Sequence, residues 1–282
     1  MLTSRFAPSP TGQLHLGHAY SAAAAHEAAS KGGGRFLLRI EDLDRTRSRP
    51  EFVCGIEEDL RWLGLEWDGE PLVQSERSGV YADALQKLRD RGLVYPCYCT
   101  RSDIASALSA PHGPVAAHYP GTCRNLPDDP ERWAKTAHSW RLDAAKAIRR
   151  VGLPRWSEAG GATFTAAAGD IDDEILARKD APASYHLACV VDDAASGVTL
   201  VVRAMDLRPS TPVQRLLQAL LGLPEVMYVH HKLVVHEDGG RLAKRDKAPT
   251  LAALRESGID GPALVRDIVD GRLPAGFRLA DA

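Results

Sequence analysis

Arg5-Phe-Ala-Pro-Ser-Pro-Thr-Gly-Gln-Leu-His-Leu-Gly-His18 changes character twice before giving way to an alanine-rich run, and those two changes decide the fold. Arg5-Phe-Ala7 reads as a short first strand, and Pro8-Ser-Pro-Thr-Gly12 reads as a turn that neither a strand nor a helix can continue through. From Leu16 onward the pattern is helical, with His18 in the first turn. A strand that feeds a helix across a tight turn is where an α/β fold binds phosphate. The first backbone N–H groups of the helix have no partner inside it, and the aligned peptide dipoles favour negative charge there. His15 and His18 add imidazole donors at that helix start, with Gly17 between them, which makes an ATP cradle the expected chemistry.

Working outward, short runs rich in β-formers, Arg35-Phe-Leu-Leu-Arg-Ile40 and Val198-Thr-Leu-Val-Val-Arg203, alternate with helical patterns such as residues 210–221. This alternation predicts an α/β fold around a parallel sheet. It breaks between residues 95 and 180, which hold three cysteines and the stretches Ala110-Pro-His-Gly-Pro114 and Asn125-Leu-Pro-Asp-Asp-Pro130. The expected organisation is therefore a catalytic domain in two halves, 1–94 and 181–250, with 95–180 inserted between them. The second half is expected to resume with an apolar strand at Tyr185-His-Leu-Ala-Cys-Val-Val191, which would place Cys189 in the core. A further strand is expected at Val229-His-His-Lys-Leu-Val-Val235, and a short helical segment over residues 251–270 within a tail of 251–282.

The composition excludes several classes. With 282 residues, 44% hydrophobic and 26% charged, the chain can bury one large core or two smaller ones. A formal net charge of -2 means that any nucleic-acid contact must come from a local patch. No charged segment followed by an apolar run opens the sequence, and no apolar stretch is long enough to span a bilayer, so a cytoplasmic protein without membrane contact is expected. Five cysteines, two of them in Cys97-Tyr-Cys99, point to thiols held by a metal ion rather than to a disulfide framework.

Lys244 lies in Gly239-Gly-Arg-Leu-Ala-Lys-Arg-Asp246, a glycine-led basic loop able to close over a triphosphate and set an ammonium on the migrating charge. With the Arg5 to His18 string, this loop makes the chain resemble the glutamyl-tRNA synthetase group of class I synthetases, whose second signature is Lys-Met-Ser-Lys-Ser. The fold implied is a Rossmann-type catalytic domain. Arg241 and Ala243 depart from the pattern, and the second lysine is kept as Lys244. His15, His18 and Lys244 are then the expected catalytic residues, with Gly17 joining them in ATP binding. A cytidylyltransferase shares His-x-x-His on a similar sheet, and the amino-acid residues argue against it. Recognising glutamate needs cations for two carboxylates and an acceptor for the ammonium group. Arg5, Glu41 and Arg203, all at strand ends, are candidates. The resemblance implies that Arg5, Ala7, Ser9 and Glu41 contact glutamate, that Tyr185 lines the pocket and that Arg203 pairs with a substrate carboxylate. Leu43 stands where the group has threonine.

Cys97, Cys99 and Cys123 supply three thiolates, which suit zinc, and a structural zinc site takes four ligands. The insertion resembles that of the glutamyl-queuosine tRNA synthetases, whose zinc set is Cys-x-Cys, Tyr, Cys, which makes Tyr119 the expected fourth ligand. His112 and His118 are the substitutes. The full-length group continues past its lysine loop into a helical anticodon-reading region, for which the residues after Lys244 leave no room. The resemblance thus extends to the truncated paralogues that attach glutamate to the queuosine base of tRNA(Asp). It implies ATP with Mg2+, L-glutamate and tRNA(Asp) carrying queuosine as partners, and a monomer. Charging of tRNA(Glu) and a non-catalytic tRNA-binding module are the rivals.

Overall fold

A computed structural model of the chain describes residues 1–100, 102–104, 118–127, 129–242 and 249–280. Lys244, Ala243 and His112 lie outside these residues. In chain order the first half holds β1 (Thr3–Phe6), α1 (Leu16–Ser30), β2 (Arg35–Ile40), α2 (Pro50–Leu63), β3 (Leu72–Val73), α3 (Ser78–Asp90) and β4 (Val94–Cys97). Then follow α4 (Pro130–Lys135), β5 (Ser139–Leu142), α5 (Ala144–Val151), β6 (Arg155–Ser157), β7 (Thr163–Thr165) and β8 (Ile175–Ala177). The remainder is α6 (Tyr185–Ala195), β9 (Leu200–Ala204), α7 (Thr211–Leu221), β10 (Met227–His231), β11 (Val234–His236), α8 (Leu251–Glu256), α9 (Gly261–Val269) and β12 (Phe277–Leu279).

Strands β1, β2 and β3 pair in parallel, as do β9 and β10. The two groups abut where Thr199 N donates to Thr3 O at 2.9 Å and Thr3 N donates to Thr199 Oγ1 at 3.0 Å. Side chains on a strand alternate between faces, and the core divides accordingly. Phe36, Leu38, Leu200 and Val202 pack toward α1, α2 and α9, whereas Val201 and Leu37 pack toward the opposite layer of α3, α6 and α7. The buried alanines Ala19, Ala22, Ala23, Ala25 and Ala29 give α1 a small-residue face, which lets it lie close to β1 and β9. Leu43 packs against the second of these core layers.

The region between the parallel groups contains an antiparallel sheet ordered β4-β5-β8 and a hairpin of β6 and β7. Asp173 binds it together: its carboxylate accepts from Tyr95 Oη, from Arg124 Nε at 2.7 Å and from Ala144 N at 3.0 Å.

Three expectations need correction. Tyr185–Ala195 is a helix, not a strand, so Cys189 belongs to α6. A short apolar run buried on every side carries no period that separates the two. The strand expected over Val229 to Val235 is two: β10 stops at His231, and β11 pairs antiparallel with β12. The helical tail is likewise split. Gly258, at φ +83, ends one piece, and the Asp260 carboxylate caps the next by accepting from Ala263 N at 2.7 Å. Among the described residues, no helix is long and apolar enough to cross a membrane.

Candidate functional site

A cavity of about 700 Å³ opens at the carboxyl ends of β1, β2 and β9, the position at which open α/β sheets bind ligands. The folded chain brings Arg5, Ala7, Ser9, Glu41, Tyr185 and Arg203 together in its wall with His15, Gly17 and His18. Arg241 and Leu242, which lead into the lysine loop, line it too.

His15 is the N-cap of α1. Its Nδ1 accepts from Gly17 N at 3.1 Å, while His18 Nδ1 accepts from His15 N at 3.1 Å, a reciprocal capping box built from two imidazoles. The rings lie 3.8 Å apart between centroids. Because each Nδ1 is an acceptor, each neutral ring carries its proton on Nε2. Gly17 keeps the His15 ring uncrowded in this arrangement. A Cβ there would stand 3.1 Å from His15 Cε1 and 3.2 Å from His15 Nδ1.

Behind the cavity lies a buried charge cluster that sequence inspection missed in part. Asp193, on α6, accepts from Arg5 Nε at 2.9 Å and from Arg39 Nη1, while Arg39 Nη2 donates to Glu41 Oε1 at 3.0 Å. Two guanidiniums thus face two carboxylates, with Arg5, Arg39 and Asp193 buried and Glu41 at the cavity wall, and Cys189 Sγ lies 3.5 Å from Arg39 Nη2. Burial opposes ionisation of Asp193, but Arg5 and then Arg39 outweigh it and hold the carboxyl well below the usual range. Burial raises Glu41, with Arg39 pulling against it. The Cys189 thiol is pushed up to about 11 by burial and by the charge of Asp193. Arg5 is therefore already engaged through Nε, and its Nη1 reaches only as far as Val202 O at 3.5 Å.

Arg203 is treated differently. Only 4% exposed, it donates to Gln214 Oε1 at 2.7 Å, Thr211 Oγ1 at 2.8 Å and Tyr185 Oη at 3.3 Å, with Nε 3.3 Å from His230 Nε2. All four partners are uncharged oxygens or an imidazole, and among the described residues no carboxylate lies within ion-pair distance of it. A buried cation held by neutral groups at a cavity wall is complementary to an anionic ligand. Tyr185 is pushed up to about 12, chiefly by burial and also by Cys189, so it remains a phenol.

Away from the cavity, Tyr119 Oη is 3.3 Å from Cys97 Sγ and 3.5 Å from Cys99 Sγ, and it accepts from Cys123 N at 3.0 Å. The three sulfurs lie within 4.8 Å of one another. Three thiols and a phenol converging on one point fit a tetrahedral zinc set. His118 is turned elsewhere, with Nδ1 3.8 Å from Asp172 Oδ2.

Comparison with known proteins gives one consistent result. The family model for tRNA synthetases class I (E and Q), catalytic domain, matches residues 1–269. The chain is 46% identical to the glutamyl-Q tRNA(Asp) synthetase of Rhodobacter capsulatus, over 95% of this chain and 99% of that protein. It is 47% identical to the protein of the same name from Nocardia farcinica, over 90% and 79%. Among solved structures it is similar to a glutamate tRNA ligase from Elizabethkingia meningosepticum in complex with its amino acid, with a TM-score of 0.79 and 27% identity. That match covers 95% of this chain but 60% of the ligase, so the chain spans about three fifths of that protein. The strand, turn and capped helix that open the chain, the parallel sheet and the matches together show that the chain belongs to the class I tRNA synthetases (E and Q), sharing their catalytic domain.

Proposed function

We propose that the chain activates L-glutamate with ATP and transfers the glutamyl group to the queuosine base of tRNA(Asp). A glutamate α-carboxylate oxygen attacks the ATP α-phosphorus, the bond to the β-phosphate oxygen breaks, and pyrophosphate leaves. A hydroxyl of the modified base then attacks the acyl carbon, AMP leaves and the hydroxyl proton passes to solvent. The observation that carries the amino-acid assignment is Arg203, a buried cation with only neutral partners, on the wall that also holds Glu41. Arg203 receives a substrate carboxylate, Glu41 the ammonium group, and Arg5, Ala7, Ser9 and Tyr185 shape the pocket around them. His15 and His18 donate through Nε2–H to the phosphates, Gly17 leaves room for the ATP chain, and Lys244 meets the charge that develops on the leaving group. No protein nucleophile is needed, since positioning and charge stabilisation suffice. Mg2+ bound with ATP neutralises the triphosphate. Zinc on Cys97, Cys99, Tyr119 and Cys123 holds together the segment 95–180, inserted between the catalytic halves 1–94 and 181–250. ATP and tRNA as substrates put the chain in the cytoplasm.

The acceptor is supported by the relatives named for tRNA(Asp), one of which is matched over 99% of its length. Incubation with labelled glutamate, ATP and tRNA(Asp) with or without queuosine, or tRNA(Glu), tests it. Label is expected only on the queuosine-bearing tRNA, and stable label on unmodified tRNA(Glu) would sink the assignment. Glutamate-dependent pyrophosphate exchange, abolished by Lys244→Ala, tests the activation step; failure of every amino acid to support exchange points to a binding module.

A further inference from the structure

What holds the plane of the Arg203 guanidinium lies behind it. His230 has no side-chain exposure; its Nε2 is 3.3 Å from Arg203 Nε, and its Nδ1 is 3.1 Å from Glu158 Oε1. A carboxylate only accepts, so the proton of the neutral ring sits on Nδ1 and leaves a lone pair on Nε2, which the Arg203 Nε–H needs. The other tautomer would set N–H against N–H, and a protonated ring would add a second cation behind the first. Thr211 agrees with this polarity: its Oγ1 accepts from Arg203 Nη2 and lies 3.3 Å from His230 Nε2.

We propose that His230 and Glu158 are positioning residues for glutamate recognition: His230 fixes the Arg203 guanidinium by accepting from its Nε, and Glu158 fixes the tautomer in which His230 can do so. The proposal rests on the glutamate assignment above. Glu158 comes from the turn between β6 and β7, outside the parallel sheet. That turn is anchored on β10, where Ala159 N donates to Tyr228 O at 2.8 Å. Arg208 Nε, 3.0 Å from the same Glu158 oxygen, pins the carboxylate from the other side. The groups around the ring are Arg203 on β9, Thr211 on α7, Tyr228 stacked on it from β10 at 5.8 Å, Glu158 and Arg208. Burial, and then Arg203, push His230 down to about 4, so the ring stays neutral where the enzyme works.

The test uses the full chain. In protein labelled with 15N-histidine, the imidazole correlations of His230 are identified by their loss in His230→Gln. They are expected to show a neutral ring protonated on Nδ1 between about pH 5 and pH 8. In Glu158→Leu the proton is expected on Nε2, or the ring is expected to titrate. In pyrophosphate exchange, His230→Phe is expected to raise KM for glutamate about tenfold, with KM for ATP and kcat within about twofold. His230→Gln, whose Oε1 can accept in place of Nε2, is expected to recover most of the loss. Two outcomes overturn the proposal: a wild-type ring protonated on Nε2 or titrating near 6.5, or a folded His230→Phe with unchanged KM for glutamate. If the wild type shows no glutamate-dependent exchange, the glutamate assignment falls, while the tautomer measurement, which needs no substrate, still decides whether Glu158 sets the ring.

Discussion

Replacing Asp193 by asparagine keeps the shape of the buried cluster and removes one charge, leaving Arg5 and Arg39 close together with only Glu41 to answer both. The two guanidiniums and the carboxylate are 3–6% exposed at their side chains, so bulk water screens little of the change. A unit charge pair at about 4 Å is worth about 4 kcal/mol at an effective dielectric of about 20, and Asp193 makes two such pairs. Relief of the several kcal/mol that burying the anion costs offsets part of this, leaving a net loss of about 3–5 kcal/mol, the usual result of breaking a buried pair from one side. Unfolding entropy of about 2.1 cal/mol/K per residue gives about 0.6 kcal/mol/K for 282 residues, so Tm should fall by about 7 °C. The pH dependence has a definite sign. A carboxyl held below its ordinary value contributes stability above that value and loses it as pH falls through the lowered one. The gap between wild type and Asp193→Asn should therefore hold steady down to about pH 4, just above the ordinary 3.8, and narrow only below it. Differential scanning calorimetry across pH checks both statements. A fall in Tm of less than about 2 °C at neutral pH, or a gap that closes above about pH 5, would refute the charge argument.

Gly17→Ala should displace the His15 ring and lower kcat/KM for ATP in pyrophosphate exchange by about tenfold to a hundredfold, with KM for glutamate little changed; unaltered ATP kinetics would dismiss the steric account. Metal analysis of protein never exposed to chelator should give about one zinc per chain, with Cys123→Ala losing it and chelation lowering Tm. A content near zero would remove zinc from the description. Asp59, buried beside Glu58 and 3.2 Å from Arg255, is raised to about 6, chiefly by burial, so its ionisation works against the fold as pH rises from about 4 to about 6. Asp59→Asn should therefore gain Tm relative to wild type across that window, and parallel pH curves for the two proteins would contradict it.

The strand, turn and capped helix at the start of the chain were legible because each is set by local chemistry: the prolines, the alanine-rich run and the histidine at the helix start. Arg5, Glu41 and Arg203 could be found because strand ends are where such sheets place ligands, and the tight Cys97-x-Cys99 pair advertised its cluster. Helix α6 was not legible, since a helix surrounded by other elements loses its polar stripe. Its Asp193 consequently escaped notice, although an acid in so apolar a run is itself a signal of a buried ion pair. Glu158 and His230 were beyond reach: they are 72 positions apart, and only the docking of the hairpin onto β10 joins them. The doubled His230-His231 could have drawn attention to one partner, but nothing local marks the other.

The imidazole capping box has a consequence for motion. Serine or aspartate could close the helix equally well, but they would leave any phosphate donors to be immobilised by something else. Here each ring is held at one edge by a backbone N–H of the helix start, so it cannot turn about its side-chain bonds without giving up that hydrogen bond. The stiffness of the two rings is borrowed from secondary structure, and on the proposed reading part of the rotational entropy that a phosphate ligand would otherwise have to remove from them is lost on folding.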